Sequence, residues 1–250
     1  MLGLGKEKPS WHWAVSGKHQ LAADYFHSGM ESQLHQAFAS WVEEGFAALP
    51  NTDEARHAIC FWRFWVRGAR KGSVICGLLK ASSDRIGRPY PLLIIGVGNL
   101  NGWERNWTYL PAALDTIWQQ AEYIAAKRFN SLEELSEAIC KISSPDPDML
   151  NAPEPREFVK EQEMPGGSIE TPPNINFLMQ QLNEQKVVRV PLAAQTQSVS
   201  DAAVRWSLRF KIQGVDVPQA FFFGGSPGQQ FLMMLMRSLN KTDFINLWSV

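Results

Sequence analysis

Cysteine is scarce: the 250 residues contain three, Cys60, Cys76 and Cys140. An odd number without CxxC spacing supports neither a disulfide framework nor a zinc site, and fits buried thiols in a reducing compartment. Net charge is nearly absent as well, with 24 basic against 25 acidic side chains and a formal charge of -1. No net positive field draws in phosphate backbones or anionic membrane surfaces, so nucleic acid is not expected as a partner. No apolar run approaches the ~20 residues that span a bilayer, and the opening MLGLGKEKPSWHW lacks the apolar stretch of a signal peptide. A cytoplasmic protein without a membrane span is expected. Histidine is badly spaced for metal: His12, His19, His27 and His35 show no i,i+4 pair that would put two ligands on one helix face.

Apolar material is abundant, 45% hydrophobic and 11% aromatic with ten Trp. That is enough for a sizeable core, and the length fits one large domain or one domain with an appendage. Leu34, Ala37, Phe38, Trp41 and Val42 fall on one helical face, predicting a helix over about 32–48. The runs ICFWRFWV from Ile59, GSVICGLLKAS from Gly72 and PYPLLIIGVG from Pro89 read as three strands. Their short connections favour an antiparallel meander, since parallel pairing needs a long crossover. Leu110, Ala113, Leu114, Ile117, Trp118, Ala121 and Ile124 predict a second helix, and Ser131 with Glu134 opens a third in capping-box spacing.

Beyond residue 142 the character changes. Residues 143–173 hold seven of the fifteen prolines, with seven acidic and two basic side chains, which reads as a linker or mobile loop. A short helix is expected over 174–185. AVRWSLRFKI and PQAFFFGG read as two strands around the Gly214 turn, and 226–240 as a helix with Phe231, Met234, Leu235 and Leu239 as its packing stripe. The expected division is a core over 1–142, a proline-rich acidic region over 143–200, and a strand–strand–helix segment over 201–250 that packs back on the core.

Several motifs invite chemistry and fail their context. GGSPG, residues 224–228, matches the G-x-S-x-G nucleophile elbow, but that arrangement needs a histidine after the serine and the last histidine is His57. Ser226 reads instead as a helix N-cap, with Pro227 at the first helical position. GVGNLNG, residues 96–102, has a displaced third glycine and no helix behind it, so it reads as a turn at a strand end. The pairs Glu43/Glu44 and Glu133/Glu134 lie on predicted helices and solvate outer faces. No catalytic residue, cofactor or metal emerges.

One stretch carries more than a turn requires. SSDRIGRPYPLL, residues 82–93, concentrates an aspartate, two arginines, a glycine and two prolines before a strand. Asp84 paired with Arg85 or Arg88 would staple the turn, with Gly87 left-handed. The same guanidinium fork could instead be presented to a carboxylate or phosphate on a partner. A further reading is a sensor of small anionic ligands built on Asp84, Arg85 and Arg88.

Ser83, Asp84, Arg85, Gly87, Arg88, Tyr90, Pro91 and Leu92 resemble the S-x-D-R-x-G-R-x-[FY]-P-L signature of the TagF (ImpM) family, accessory proteins of bacterial type VI secretion. Gly17, Lys18, Asp24 and Tyr25 resemble its opening G-K-x-P-x-x-G-D-F, with Gln20 and Ala23 departing from it. Trp206 followed by PQAFFFGGSPGQQF resembles its tryptophan strand and later glycine-proline turn, although Arg205 stands where a second tryptophan is common. The resemblance implies an α/β domain with an antiparallel sheet flanked by helices, similar to profilin or longin folds. It also implies no enzymatic activity, but repression of type VI secretion after translation through a cytoplasmic scaffold carrying a forkhead-associated domain. Ser83, Asp84, Arg85, Gly87, Arg88, Pro91 and Trp206 are the motif residues it singles out as candidate partner-binding positions.

Overall fold

A computed structural model describes residues 11–30, 32–145, 150, 173–192 and 198–249. Most of the proline-rich region and residues 195–197 lie outside the described residues. The strands are β1 (His12–Gly17), β2 (Phe26–Gly29), β3 (Phe61–Arg67), β4 (Ser73–Lys80), β5 (Leu92–Asn99), β6 (Val187–Leu192), β7 (Ala220–Ser226) and β8 (Gln229–Leu235). They form a single sheet in the order β2-β1-β5-β4-β3-β7-β8-β6, every pairing antiparallel. The expected meander β3-β4-β5 lies at its centre.

Helices cover both faces. They are α1 (Gln33–Ala47), α2 (Asp53–Arg56), α3 (Leu110–Ala113), α4 (Asp115–Ala126), α5 (Leu132–Cys140), α6 (Ile175–Gln185), α7 (Val199–Ile212) and α8 (Lys241–Trp248). Successive strand residues point to opposite faces, so FFF of β7 divides. Phe221 and Phe223 join Trp65, Cys76 and Ile94 in a core closed by α3 to α7, whereas Phe222 joins Phe64, Ile75 and Ile95 beneath α1 and α8. Buried indoles tie the layers together: Trp118 Nε1 donates to the Gly77 carbonyl at 3.0 Å, Trp62 Nε1 to Leu247 at 3.0 Å, and Trp41 Nε1 to Asn240 at 2.7 Å. Each bond satisfies a donor whose burial would otherwise be costly.

Local capping follows the sequence where it was read. Ser32 and Ser131 accept the N–H of His35 and Glu134 and start α1 and α5. The second expected helix is interrupted at Leu114, where α3 gives way to α4.

The structure departs from the sequence expectations at five points. AVRWSLRFKI is not a strand but most of α7, capped by Ser198 through the Asp201 N–H. Its period-two set Val204, Trp206, Leu208 and Phe210 is buried because the helix meets apolar neighbours on several sides, Val204 and Leu208 with Tyr109, Trp206 and Phe210 with the main core. Residues 226–240 are not a helix but the turn and strand of the β7–β8 hairpin, in which Ser226 opposes Gln229. With both neighbouring strands paired and helices above and below, β8 buries Leu232, Met233, Met234 and Leu235 without alternation, which erases the strand signature. The segment 201–250 is therefore helix, hairpin and helix, not strand–strand–helix. Gly96 and Gly98 sit inside β5, where Trp13 and Trp11 lie over them, rather than in a turn. Of the thiols, Cys60 and Cys76 are buried but Cys140 is exposed.

Candidate functional site

The signature turn is built by one carboxylate. Asp84 is 1% exposed, and its Oδ1 accepts the backbone N–H of Ile86 at 3.1 Å and of Arg88 at 2.9 Å. Such a side-chain cap on its own following residues is what Asp supplies in turns. The backbone closes around it, with Asp84 N donating to Arg88 O, Gly87 N to Asp84 O and Tyr90 N to Ser82 O, while Ser83 and Pro89 form a bridge. Gly87 has φ +86°, the left-handed geometry expected of it, and nothing lies within 4 Å of where a Cβ would stand.

Asp84 Oδ2 faces inward to two cations, Arg88 Nε at 2.6 Å and Lys18 Nζ at 3.1 Å. Arg88 Nη2 reaches Asp24 Oδ2 at 3.1 Å and donates to the Ala23 carbonyl at 2.8 Å, and Lys18 approaches Asp24 at 3.7 Å. Lys18, Asp84, Arg88 and Asp24 thus close a balanced ring of two positive and two negative charges. Burial alone would raise the Asp84 carboxyl, but the Arg88 N–H, Lys18 and Arg88 outweigh it and hold the group far below the usual carboxylate range. Asp24 is lowered chiefly by the Tyr25 N–H, which outweighs the opposing effect of burial, and the Arg88 and Lys18 charges add to the lowering.

This ring joins the two motifs that sequence alone left 60 residues apart. The opening segment runs against the turn through Lys18 N to Pro91 O (3.3 Å) and Arg85 N to Ala22 O (2.9 Å). Gly17, the last residue of β1, sits opposite Leu92 of β5 with φ +120°, and a Cβ there would stand 2.0 Å from the Pro91 carbonyl oxygen. Only glycine permits that approach, which brings Lys18 to Asp84. Tyr25 packs edge-on against Tyr90 with ring centroids 5.7 Å apart.

The candidate residues therefore separate. Ser83, Asp84, Gly87, Arg88 and Pro91 form the frame of the turn, and the choice left open between Arg85 and Arg88 falls to Arg88. Arg85 is exposed and has no ion-pair partner among the described residues; Ile86 beside it is 71% exposed. Trp206 is not brought to this turn: it lies on α7, 8% exposed, with Arg209 stacked on its ring at 4.8 Å. Lys18, absent from the sequence-selected set, is an essential member of the ring; its signal was the G-K pair of the opening segment.

A second charge cluster escaped the sequence reading. Arg63 of β3 makes a bidentate pair with Glu122 of α4 (2.6 and 2.9 Å), and its Nη1 donates to Asp115 at 2.9 Å and Ser200 of α7 at 2.8 Å. Its only signal was a charged residue inside the aromatic run FWRFW. Among the described residues no group of three or more His, Cys, Asp or Glu side chains could hold a metal ion, and no helix is long and apolar enough to cross a membrane.

The family model of the TagF N-terminal domain, described as type VI secretion system-associated, matches residues 14–142. The fold is similar to the crystal structure of PA0076 from Pseudomonas aeruginosa PAO1, with a TM-score of 0.54 and 15% identity over 94% of this chain and 93% of that one. No curated protein matches. With slightly more than half of its length matched, including both motifs of the charge ring, the chain belongs to the TagF family of type VI secretion-associated proteins.

Proposed function

We propose that the chain is a non-catalytic, cytoplasmic regulator that represses type VI secretion after translation by binding a scaffold protein with a forkhead-associated domain. The observation that carries this reading is the division of labour in the turn. Two charges of the turn and two of the opening segment neutralise one another and brace its backbone, while Arg85 and Ile86 are left exposed. A rigid platform lowers the ordering cost of association, and an arginine beside an apolar knob matches the anchors that dominate interfaces. Repression would follow mass action, because the scaffold held by this protein is withdrawn from assembly.

An anionic small ligand at the same turn has less support. Arg88 is already engaged by Asp84, Asp24 and the Ala23 carbonyl, leaving Arg85 alone to hold a charge.

The test is co-purification with the forkhead-associated scaffold of the same secretion cluster, comparing wild type with Arg85→Ala, Ile86→Ala and Arg88→Ala, with a melting curve for each. Arg85→Ala is expected to weaken binding about tenfold or more with melting unchanged, the mark of a contact residue. Arg88→Ala is expected to lower both. Undiminished binding by Arg85→Ala and Ile86→Ala together, or secretion indifferent to deletion and overproduction of the protein, would sink the proposal.

A further inference from the structure

Beside the signature turn, and using none of its charge ring, lies a cavity of about 560 Å³ between the C-terminal end of β4, the loop after β1 and the C-terminal end of α4. Its ionisable lining is entirely basic: His19, Lys80, Lys127 and Arg128, with the hydroxyl-bearing Ser82 and Ser83 beside them. No acidic side chain lines this hollow to offset them. Each of the four retains donor capacity. Lys80 Nζ gives one of its three N–H bonds to the Ala125 carbonyl at 3.2 Å. Lys127 rests on the rings of Phe129 and Tyr123 at 5.2 and 6.0 Å, contacts that use its charge but none of its donors. Arg128 is exposed and has no ion-pair partner among the described residues. His19 Nδ1 accepts the Leu21 N–H at 3.3 Å, which fixes the proton of the neutral ring on Nε2.

The bland account of this cluster is that lysines neutralise the negative end of α4. Lys80 fits it, through its bond to Ala125. It does not account for His19 and Arg128, nor for the crowding of like charge. Burial and then the Lys80 ammonium lower the basicity of His19, and burial lowers that of Lys80. A bound anion would favour the charged form of both groups and offset the cost of their burial.

A second compartment of about 400 Å³ adjoins the first through Lys80, Ala81 and Ala125, and is lined by Ile59, Phe61 and Leu78. Ile59 is 72% exposed at its rim. The one acid there, Glu122, is bound bidentately by Arg63 and presents little free charge.

We propose that this two-part groove binds a small organic monophosphate, with the phosphate among His19, Lys80, Lys127 and Arg128 and its apolar portion over Ile59, Phe61 and Leu78. A phosphate dianion matches several cations and hydroxyls at once, where a single carboxylate would leave most of them unanswered. The two volumes fall within the range of small-molecule pockets. The occupant would touch Ser82 and Ser83, from which the signature turn rises, so binding stabilises that end of the fold by linkage. The site stands on its own lining and does not depend on the scaffold-binding reading.

Phenyl phosphate is the probe, titrated calorimetrically into the full chain in phosphate-free, low-salt buffer, with inorganic phosphate and benzyl alcohol as the single-feature controls. Saturable one-site binding of phenyl phosphate is expected, weaker binding of inorganic phosphate and none of benzyl alcohol. The Lys127→Ala/Arg128→Ala double variant removes two exposed groups, so it should melt as the wild type does while losing affinity by about tenfold or more. Lys80→Met also gives up the bond to the Ala125 carbonyl, so it should melt somewhat below the wild type, lose affinity by a similar factor, and no longer rise in melting temperature when phenyl phosphate is added. No binding of phenyl phosphate at concentrations up to about 10 mM overturns the proposal. So does binding that both variants leave intact, which would put the ligand elsewhere.

Discussion

Replacing Gly17 by alanine should damage the protein far more than the same change at Gly87, although both glycines have positive φ and both belong to the family motifs. At Gly87 the added methyl meets nothing within 4 Å, so the cost is conformational only, about 1–2 kcal/mol. At Gly17 the φ of +120° lies in a region that is nearly closed to side chains, at about 1–3 kcal/mol. The methyl would also stand 2.0 Å from the Pro91 carbonyl oxygen, within backbone that cannot rotate aside, and overpacking of that kind adds about 1–3 kcal/mol. The sum, about 2–6 kcal/mol, is a large share of the roughly 5–15 kcal/mol that holds a domain together. At roughly 2–4 °C per kcal/mol for a chain of this size, Gly17→Ala should melt roughly 4–24 °C below wild type and Gly87→Ala roughly 2–8 °C below it. Melting followed by circular dichroism, with chemical denaturation to obtain free energies, makes the comparison. Because the displaced strand carries Lys18 away from Asp84, Gly17→Ala should also lose part of its acid sensitivity. A Gly87→Ala variant as destabilised as Gly17→Ala would refute the reasoning, since it would show that φ and not the close strand contact sets the cost.

Three further outcomes follow from the same geometry. Asp84 and Asp24 are held below their ordinary values, so their contribution to stability is complete above the unfolded value near pH 4 and is lost as pH falls through the folded values. Melting temperature should therefore drop steeply below about pH 4, and less steeply in Asp84→Asn; equal slopes would show that the ring does not hold that charge. Arg63→Met strands two acids whose side chains keep 29% and 32% exposure, placing the loss at the low end of the buried-pair range, about 3 kcal/mol or roughly 6–12 °C. A loss below about 1 kcal/mol would mean that Asp115 and Glu122 rehydrate freely. Ser226→Ala, at a hairpin end with no side-chain hydrogen bond among the described residues, should stay within about 0.5 kcal/mol of wild type, whereas a helix cap would cost about 0.5–2 kcal/mol.

The sequence by itself determined the elements whose causes are local. Ser32 and Ser131 mark helix starts because their hydroxyls cap amides three residues on, and the central meander follows from short turns between apolar runs. The turn at residues 83–89 was legible for the same reason: Asp84, Gly87 and Arg88 lie within five residues and satisfy one another. What sequence could not decide were the assignments made by burial on all sides. AVRWSLRFKI alternates like a strand, yet it is a helix because apolar neighbours meet it around its circumference. FLMML does not alternate, yet it is a strand because both faces of β8 are covered. The tertiary structure alone joined Lys18 and Asp24 to Asp84 and Arg88, since that ring depends on β1 lying beside β5 and on a glycine thin enough to let the two backbones touch. It alone separated Arg85 from Arg88, because which of two neighbouring arginines turns inward is set by where the opposing carboxylates stand.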